Sequence, residues 1–172
     1  VRDSAYLEQQ RIDNYTGVDW KYHDYRDTEI HNYELAAKEL TKNGYYVIRM
    51  GAKVNTEFNT NDPMIIDYAT NGMRSDFMDI YLGAKCEFCI STSTGYDSVP
   101  RLFRRPVVIV NQPHVERFYS WLSDAVTIFQ KVRDVNTGKY LSLKSIIESG
   151  IGAFGATNEF VENGVELIEN TP

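Results

Sequence analysis

The sequence has little of three features that mark special classes of protein. No apolar run approaches the roughly 20 residues that cross a bilayer, and Val1-Arg2-Asp3-Ser4 lacks the basic and apolar stretches of a signal peptide. Two cysteines are too few for a disulfide scaffold. Basic residues number 18 against 24 acidic ones, and the net charge of -6 disfavours a nucleic-acid partner. We therefore expect a soluble protein with no transmembrane segment.

The composition is that of an ordinary globular domain. The chain has 172 residues, 42% of them apolar, and this length is enough to bury a core without metal or disulfide support. We therefore expect residues 1–172 to form one domain. The chain begins at Val1 and ends at Asn170-Thr171-Pro172, which resembles the lead-in to another helix. On this basis we expect an excised domain or a truncated chain.

The first clear element is an amphipathic helix followed directly by a strand. Asp27 or Thr28 can cap the helix, and Gly44 lies where a left-handed C-cap belongs. Residues 45–50 form an aromatic and β-branched run, which predicts a buried strand. The apolar residues at helical spacing are Ile30, Tyr33, Ala36, Ala37 and Leu40.

Helix and strand patterns continue to alternate after this unit. A helix is predicted from Ser75 to Gly83, with Phe77, Ile80 and Tyr81 on one face, and a short helix over 96–104. Weaker patterns predict a helix over 143–147. The remaining predicted strands are 65–69, 86–91, 107–111, 126–132 and an edge strand over 164–168.

Strict alternation of helices with apolar strands requires crossover connections and favours a parallel sheet covered on both faces. The sequence therefore predicts a Rossmann-like three-layer α/β/α domain with a mainly parallel sheet. In such a sheet, ligands bind outside the carboxyl ends of the strands.

Ser91-Thr92-Ser93-Thr94-Gly95 is the strongest candidate site at such a strand end. It lies between a buried strand and a helix start, where free backbone N–H groups and the helix dipole favour an anion such as phosphate. The alternative is that Ser93 or Thr94 only caps the helix.

Two further segments have both a binding and a structural interpretation. Arg49 ends its strand and could bind phosphate oxygens in a bidentate manner, or could pair with Asp67 or Asp76. Within Ser75-Asp76, the carboxylate could accept hydrogen bonds from a ribose or base, or could favour the positive end of its own helix.

Metal and redox sites are not expected. Cys86 and Cys89 lie three apart in a predicted strand, so they point to opposite faces, and no second pair completes a tetrahedral site. The spacing of His23, His31 and His114 fits no metal motif. We expect reduced, buried cysteines.

Several segments in the same order resemble a family of bacterial glycosyltransferases, and the resemblance covers most of the chain. These segments are 1–7, His23-Asp24-Tyr25-Arg26, 44–51, Ser75-Asp76-Phe77-Met78-Asp79, Ser91-Thr92-Ser93-Thr94-Gly95 and 164–172. The resemblance implies the C-terminal, nucleotide-sugar-binding half of a two-domain enzyme of the GT-B type. The N-terminal acceptor-binding half would be missing.

The resemblance also implies which residues bind the donor. Ser75 and Asp76 would contact the nucleoside, and Asp97 would face the sugar. No catalytic base is assigned, because it would come from the other half, and neither a metal nor a cofactor is required. The implied ligands of the donor's diphosphate are Arg2, Arg26, Arg49, Ser93, Thr94 and Gly95.

The implied setting is surface-polysaccharide synthesis at the cytoplasmic side of the inner membrane, reached through the missing part of the enzyme. Two alternatives stay open. A nucleotide-sugar epimerase shares the two-domain architecture, and a noncatalytic Rossmann-like binding module could retain the same motifs.

Overall fold

The computed structural model describes residues 1–14, 20–117, 120–121 and 123–171. These residues form a mixed α/β protein in which short strands are interspersed with short helices. The strands are β1 (Val47–Arg49), β2 (Ile65–Asp67), β3 (Cys89–Ser91), β4 (Val107–Gln112), β5 (Ala125–Phe129), β6 (Lys131–Asp134) and β7 (Val165–Ile168). The α-helices are α1 (Ala5–Asn14), α2 (Glu34–Lys42), α3 (Asp76–Lys85), α4 (Ser98–Leu102), α5 (Leu143–Glu148) and α6 (Thr157–Glu162).

The strands form three small sheets instead of one continuous sheet. β1 pairs with β2 in parallel, and β3, β4 and β5 form a second parallel sheet in that order. β6 and β7 pair antiparallel. The α/β class and the parallel pairing are thus confirmed. The single sheet of a Rossmann-like three-layer domain is not formed among the described residues.

The helix predicted before the first strand is present, with a different start. Residues Ile30–Tyr33 form a 3-10 turn that leads into α2, and neither segment has a side-chain N-cap. Asp27, one of the two expected caps, instead forms an ion pair with Arg2. Gly44 adopts the expected left-handed conformation, with φ of 86°, directly after the helix.

Three other expectations about elements are corrected. The alternation is not strict, because β1 and β2 are joined by residues 50–64 without a helix. The single strand expected over 126–132 is two strands, because Gln130 separates β5, which pairs with β4, from β6, which pairs with β7. Gly83 does not end the second helix but lies inside α3.

The apolar face expected on α3 is largely exposed. Phe77, Ile80 and Tyr81 are 73%, 47% and 45% exposed, and the rings of Phe77 and Tyr81 stack on the helix surface. The packed face is the one that carries Gly83, which is buried against Val99 of α4.

Two groups of buried side chains support the sheets. One surrounds β1, β2 and α2 and contains Ile30, Ala37, Phe58 and Ile65. The other supports the antiparallel sheet with Val132, Ile146, Phe160 and Val165 among its members. Between them, Val107 and Ile109 of β4 are 2% and 1% exposed. This burial holds the carboxyl end of β4 beside that of β3.

The contact of Gly83 predicts that a methyl group there destabilises the fold. A Cβ atom would lie 2.8 Å from Val99 Cγ1 and 3.0 Å from Tyr96 Oη. Overpacking costs about 1–3 kcal/mol, which exceeds the gain of roughly 0.5–1 kcal/mol from replacing a helical glycine by alanine. We expect Gly83→Ala to lower the free energy of unfolding by about 1 kcal/mol, measured by urea denaturation.

Gly95→Ala is the matched control, because a Cβ atom at Gly95 meets nothing within 4 Å and its φ is not positive. An unchanged stability of the Gly83 variant would contradict the packing described here.

Candidate functional site

A cleft of about 730 Å³ lies between the two parallel sheets. β1 forms one wall and β3 the other, and the residues that follow these strands line one end of the cleft. The volume is within the range of small-molecule sites. We call this end the rim, which consists of Arg2, Arg49, Ser91, Thr94 and Gly95.

The segment 91–95 forms a tight, ordered loop at the carboxyl end of β3. Ser91 and Thr92 are buried, and Ser93 adopts a left-handed conformation with φ of 58°. The hydroxyl oxygen of Thr92 accepts a hydrogen bond from the backbone N–H of Arg2 at 3.0 Å. The carbonyl oxygen of Ser93 accepts one from the guanidinium of Arg26. The loop and both arginines are therefore brought together.

The capping alternative for this loop is not what the structure shows. The residue at the N-cap position is Thr94, and its side chain makes no capping hydrogen bond. The helix itself is a 3-10 turn, Gly95–Asp97, followed by the five residues of α4. Such short segments carry little helix dipole. Any attraction for an anion here must come chiefly from the arginines.

Asp97 supports the loop from below and does not reach the cleft. It is 1% exposed, accepts a hydrogen bond from Ser91 Oγ at 3.0 Å, and pairs with Arg101 Nη2 at 2.5 Å. Burial raises the pKa of its carboxyl group, and the Arg101 guanidinium opposes that shift. The sugar-facing role expected for Asp97 therefore has no support from its position.

Arg49 forms the buried ion pair that the structural interpretation predicted. Its Nη1 lies 3.1 Å from Asp67 Oδ2 and donates to the carbonyl oxygen of Thr56 at 2.7 Å. The two charged side chains are only 6% and 10% exposed. Arg49 lines the cleft on the wall opposite the loop. The guanidinium is thus already bonded to a carboxylate of its own chain.

Arg2 is also held by a carboxylate, but nearer the surface. Its Nε lies 3.1 Å from Asp27 Oδ1, with the side chains 15% and 27% exposed. Burial raises the pKa of Asp27, and Arg2 opposes this effect. The position of Arg2 is set by its backbone contact with Thr92.

Ser75 and Asp76 serve the start of α3 and do not line the cleft. Ser75 Oγ accepts a hydrogen bond from Met78 N at 3.2 Å, which makes it the N-cap. Asp76 is 97% exposed and lies 3.4 Å from Arg74 Nη2. The structural interpretation of this segment, helix capping, is confirmed. The nucleoside-binding interpretation gains no support.

Sequence reasoning missed a pair of residues at the carboxyl end of β4. His114 follows that strand, and its Nε2 lies 2.7 Å from the Tyr25 hydroxyl. Burial and then the nearby Arg26 lower the pKa of His114 to about 4. Arg26 therefore influences both this ring and the loop at Ser93. The available signal was the position of His114 directly after a buried strand, at the same edge as the loop.

The cysteines are free thiols, as expected, and only partly buried. Cys86 follows α3 and Cys89 begins β3. Burial raises the pKa of the Cys89 thiol to about 12. Within the described ranges, no three His, Cys, Asp or Glu side chains are grouped so that they could hold a metal ion.

Comparisons of the chain with protein-family models, with curated proteins and with solved structures each gave no match. Among the described residues, no helix combines the length and the apolar character that a membrane crossing needs.

Replacing Arg49 should destabilise the protein strongly. Arg49→Met leaves the Asp67 carboxylate buried without its cation, and breaking a buried ion pair in this way costs about 3–5 kcal/mol. Urea denaturation measures the loss. The control is Arg133→Met, which removes an exposed pair with Glu166 whose side chains are 40% and 41% exposed. Exposed pairs contribute about 1 kcal/mol or less. Equal losses in both variants would contradict the burial of the Arg49 pair.

The environment of His114 predicts a loss of stability in mild acid. Its pKa is about 4 in the fold, against an ordinary value of 6.5, so the unfolded chain binds more protons between these values. Stability should therefore fall as the pH is lowered through this interval. In urea denaturation, the free energy of unfolding of His114→Gln should fall less steeply with decreasing pH than that of the parent chain. His31→Gln, at an exposed position, is the control and should keep the parent's slope. A His114 variant with the parent's slope would refute this assignment.

Proposed function

We propose that the chain is the donor-binding domain of a glycosyltransferase that moves a sugar from a nucleotide-sugar to an acceptor. The observation that carries the proposal is the loop at the end of β3. The Thr92 hydroxyl of this loop accepts a hydrogen bond from the backbone N–H of Arg2, and the Ser93 carbonyl accepts one from the guanidinium of Arg26. The loop lies beside one end of a cleft of suitable size, which Thr94 and Gly95 line. The motif resemblance supports the same conclusion, and it places the reaction in bacterial surface-polysaccharide synthesis on the cytoplasmic side of the membrane.

The chemistry of transfer fits a cationic rim. Cleavage of the bond between sugar and phosphate leaves a nucleoside phosphate, whose developing negative charge must be stabilised. Arg26 is at present bonded to a neutral carbonyl oxygen of Ser93. Because a phosphate oxygen is a stronger acceptor than a carbonyl oxygen, the phosphate of a donor beside this loop would compete with the Ser93 carbonyl for the Arg26 guanidinium.

The rim residues, together with the neighbouring Ser93 and Arg26, would have roles that follow from their surroundings. Arg2 and Arg26 would bind the phosphates, and Gly95, with open space on its Cβ side, would let them approach the backbone. Ser93 and Thr94 would offer their hydroxyl groups, whereas the backbone N–H of Thr94 already donates to Ser91 Oγ at 3.5 Å. Arg49 would present the guanidinium of its ion pair with Asp67 on the opposite wall, where the carboxylate neutralises much of its charge. The binding site for the acceptor and the catalytic base would come from a partner domain.

One observation favours a noncatalytic binding module as the second candidate. Arg2 and Arg49 are each paired with a carboxylate of the chain itself. Such pairs can serve structure alone. The two candidates differ in catalysis, because a noncatalytic module would bind its ligand without transferring a sugar.

Titration calorimetry with a panel of nucleoside diphosphates and nucleotide-sugars tests the proposal. We expect at least one to bind, and Arg26→Gln to weaken it by roughly tenfold or more, since a charge-assisted hydrogen bond contributes about 1.5–3 kcal/mol. Arg104→Gln is the matched control, because it removes the same charge from an exposed position outside the cleft.

Absence of binding across the panel, or equal weakening by both substitutions, would overturn the donor-site proposal. With an acceptor-binding partner domain supplied, release of free nucleotide supports glycosyl transfer, whereas an isomerised donor would indicate the epimerase.

A further inference from the structure

Below the rim, the cleft has on each side a strand edge with no strand partner among the residues that the structure describes. The N–H of Val47 donates to Met64 next to β2, and the N–H of Cys89 donates to Pro106 next to β4. Because successive peptide groups in a strand point in opposite directions, the N–H and C=O groups of Ile48 and Ile90 face away from these partners. β1 and β3 both line the cleft. Their free edges therefore face each other across it.

The walls between these edges are apolar. The rings of Tyr45 and Phe88, which precede β1 and β3, lie 5.8 Å apart in an edge-to-face contact. Main-chain polar groups beside apolar walls would be buried by an apolar segment laid against them, and would then need hydrogen-bond partners in that segment. We call the part of the cleft below the rim the groove. Its other apolar lining residues include Ala37, Leu40, Val47, Ile48, Leu82 and Ile90.

Val1 already lies in this groove. Its side chain packs against the buried group around Ile30 and Ala37. The residues after Val1 lead out of the groove toward the carboxyl end of β1, since the carboxylate of Asp3 accepts a hydrogen bond from the backbone N–H of Asn55 at 3.0 Å.

The direction of the first residues matches the two strands. Val1 lines the groove, and the backbone N–H of Arg2 bonds to the side chain of Thr92, which directly follows β3. Residues 1 and 2 thus run in the same direction as β3. A chain continued backward from Val1 would pass along the groove between the two edges.

We propose that the groove is a strand-acceptor site, occupied by an extended apolar segment joined directly to Val1. The segment would pair in parallel with β1 and with β3 and give one sheet in the order β2, β1, added strand, β3, β4, β5. The groove is lined by residues 45–50 and 86–91, and six residues at ~3.3 Å each span about 20 Å. The rim stays open, so this inference does not depend on the proposed function.

The experiment extends the 172-residue chain before Val1 by roughly five alternating Val and Ile residues, the length that the groove accommodates. We expect the apolar extension to raise the melting temperature by roughly 5 °C or more. Hydrogen exchange at the amides of Ile48 and Ile90 should slow at least about tenfold, because these amides gain partners. Two controls have the same length: a Gly/Ser extension, and a Val/Pro extension that is apolar but lacks alternate N–H donors.

Each outcome decides the proposal. Stabilisation and slowed exchange with the Val/Ile extension alone support it. Equal effects of the Val/Ile and Val/Pro extensions would mean nonspecific apolar contact and would overturn it. A parent chain that sediments as a dimer, with Ile48 and Ile90 already protected, would assign the groove to a second copy instead. If the fused chain is insoluble, the Val/Ile residues are supplied as a separate acetylated peptide at millimolar concentration. Unchanged exchange at both amides would then overturn the proposal.

Discussion

The geometry at the end of β3 depends on a carboxylate that solvent does not reach. Asp97 accepts a hydrogen bond from Ser91 and pairs with Arg101, which ties the last residue of β3 to α4 across the loop. A buried carboxylate is stable only when its partners remain in place, since removing one leaves an uncompensated charge. The loop at 92–95 is therefore held at a fixed distance from the strand, and its outer side is presented to Arg2 and Arg26.

The arginines around the cleft differ in how readily a ligand could recruit them. Arg49 is bonded to the buried carboxylate of Asp67, so withdrawing it would leave that charge without its cation. Arg26 donates to the neutral carbonyl of Ser93, and giving up a bond to a neutral acceptor costs less than leaving a buried carboxylate without its cation. Under the proposed function, Arg26 would therefore exchange this bond for one to a phosphate more readily than Arg49 would exchange its bond to Asp67.

The separation of the two parallel sheets and the position of the cleft have one common cause. Among the described residues, neither β1 nor β3 has a strand partner on the side that faces the cleft, and apolar side chains line much of the space between them. A strand in that space would join the two parallel sheets and close the groove. The polar rim, at the carboxyl ends of the strands, would remain exposed.

The sequence by itself determined the identity of most local elements. The spacing of apolar residues predicted α2, α3 and the strands β1 to β4, and Gly44 and Ser75 marked a helix end and a helix start. These signals act within a few residues, so they can be read from the sequence. It also offered the correct alternatives for Arg49 and Ser75 without deciding between them. Only the tertiary structure decided the partner of Arg49 and the contact of His114 with Tyr25, because each contact joins residues from different parts of the chain. It also decided the burial of Asp97, which depends on packing. Local sequence patterns likewise could not predict whether the strands form one continuous sheet, because strand order depends on which edges meet in space.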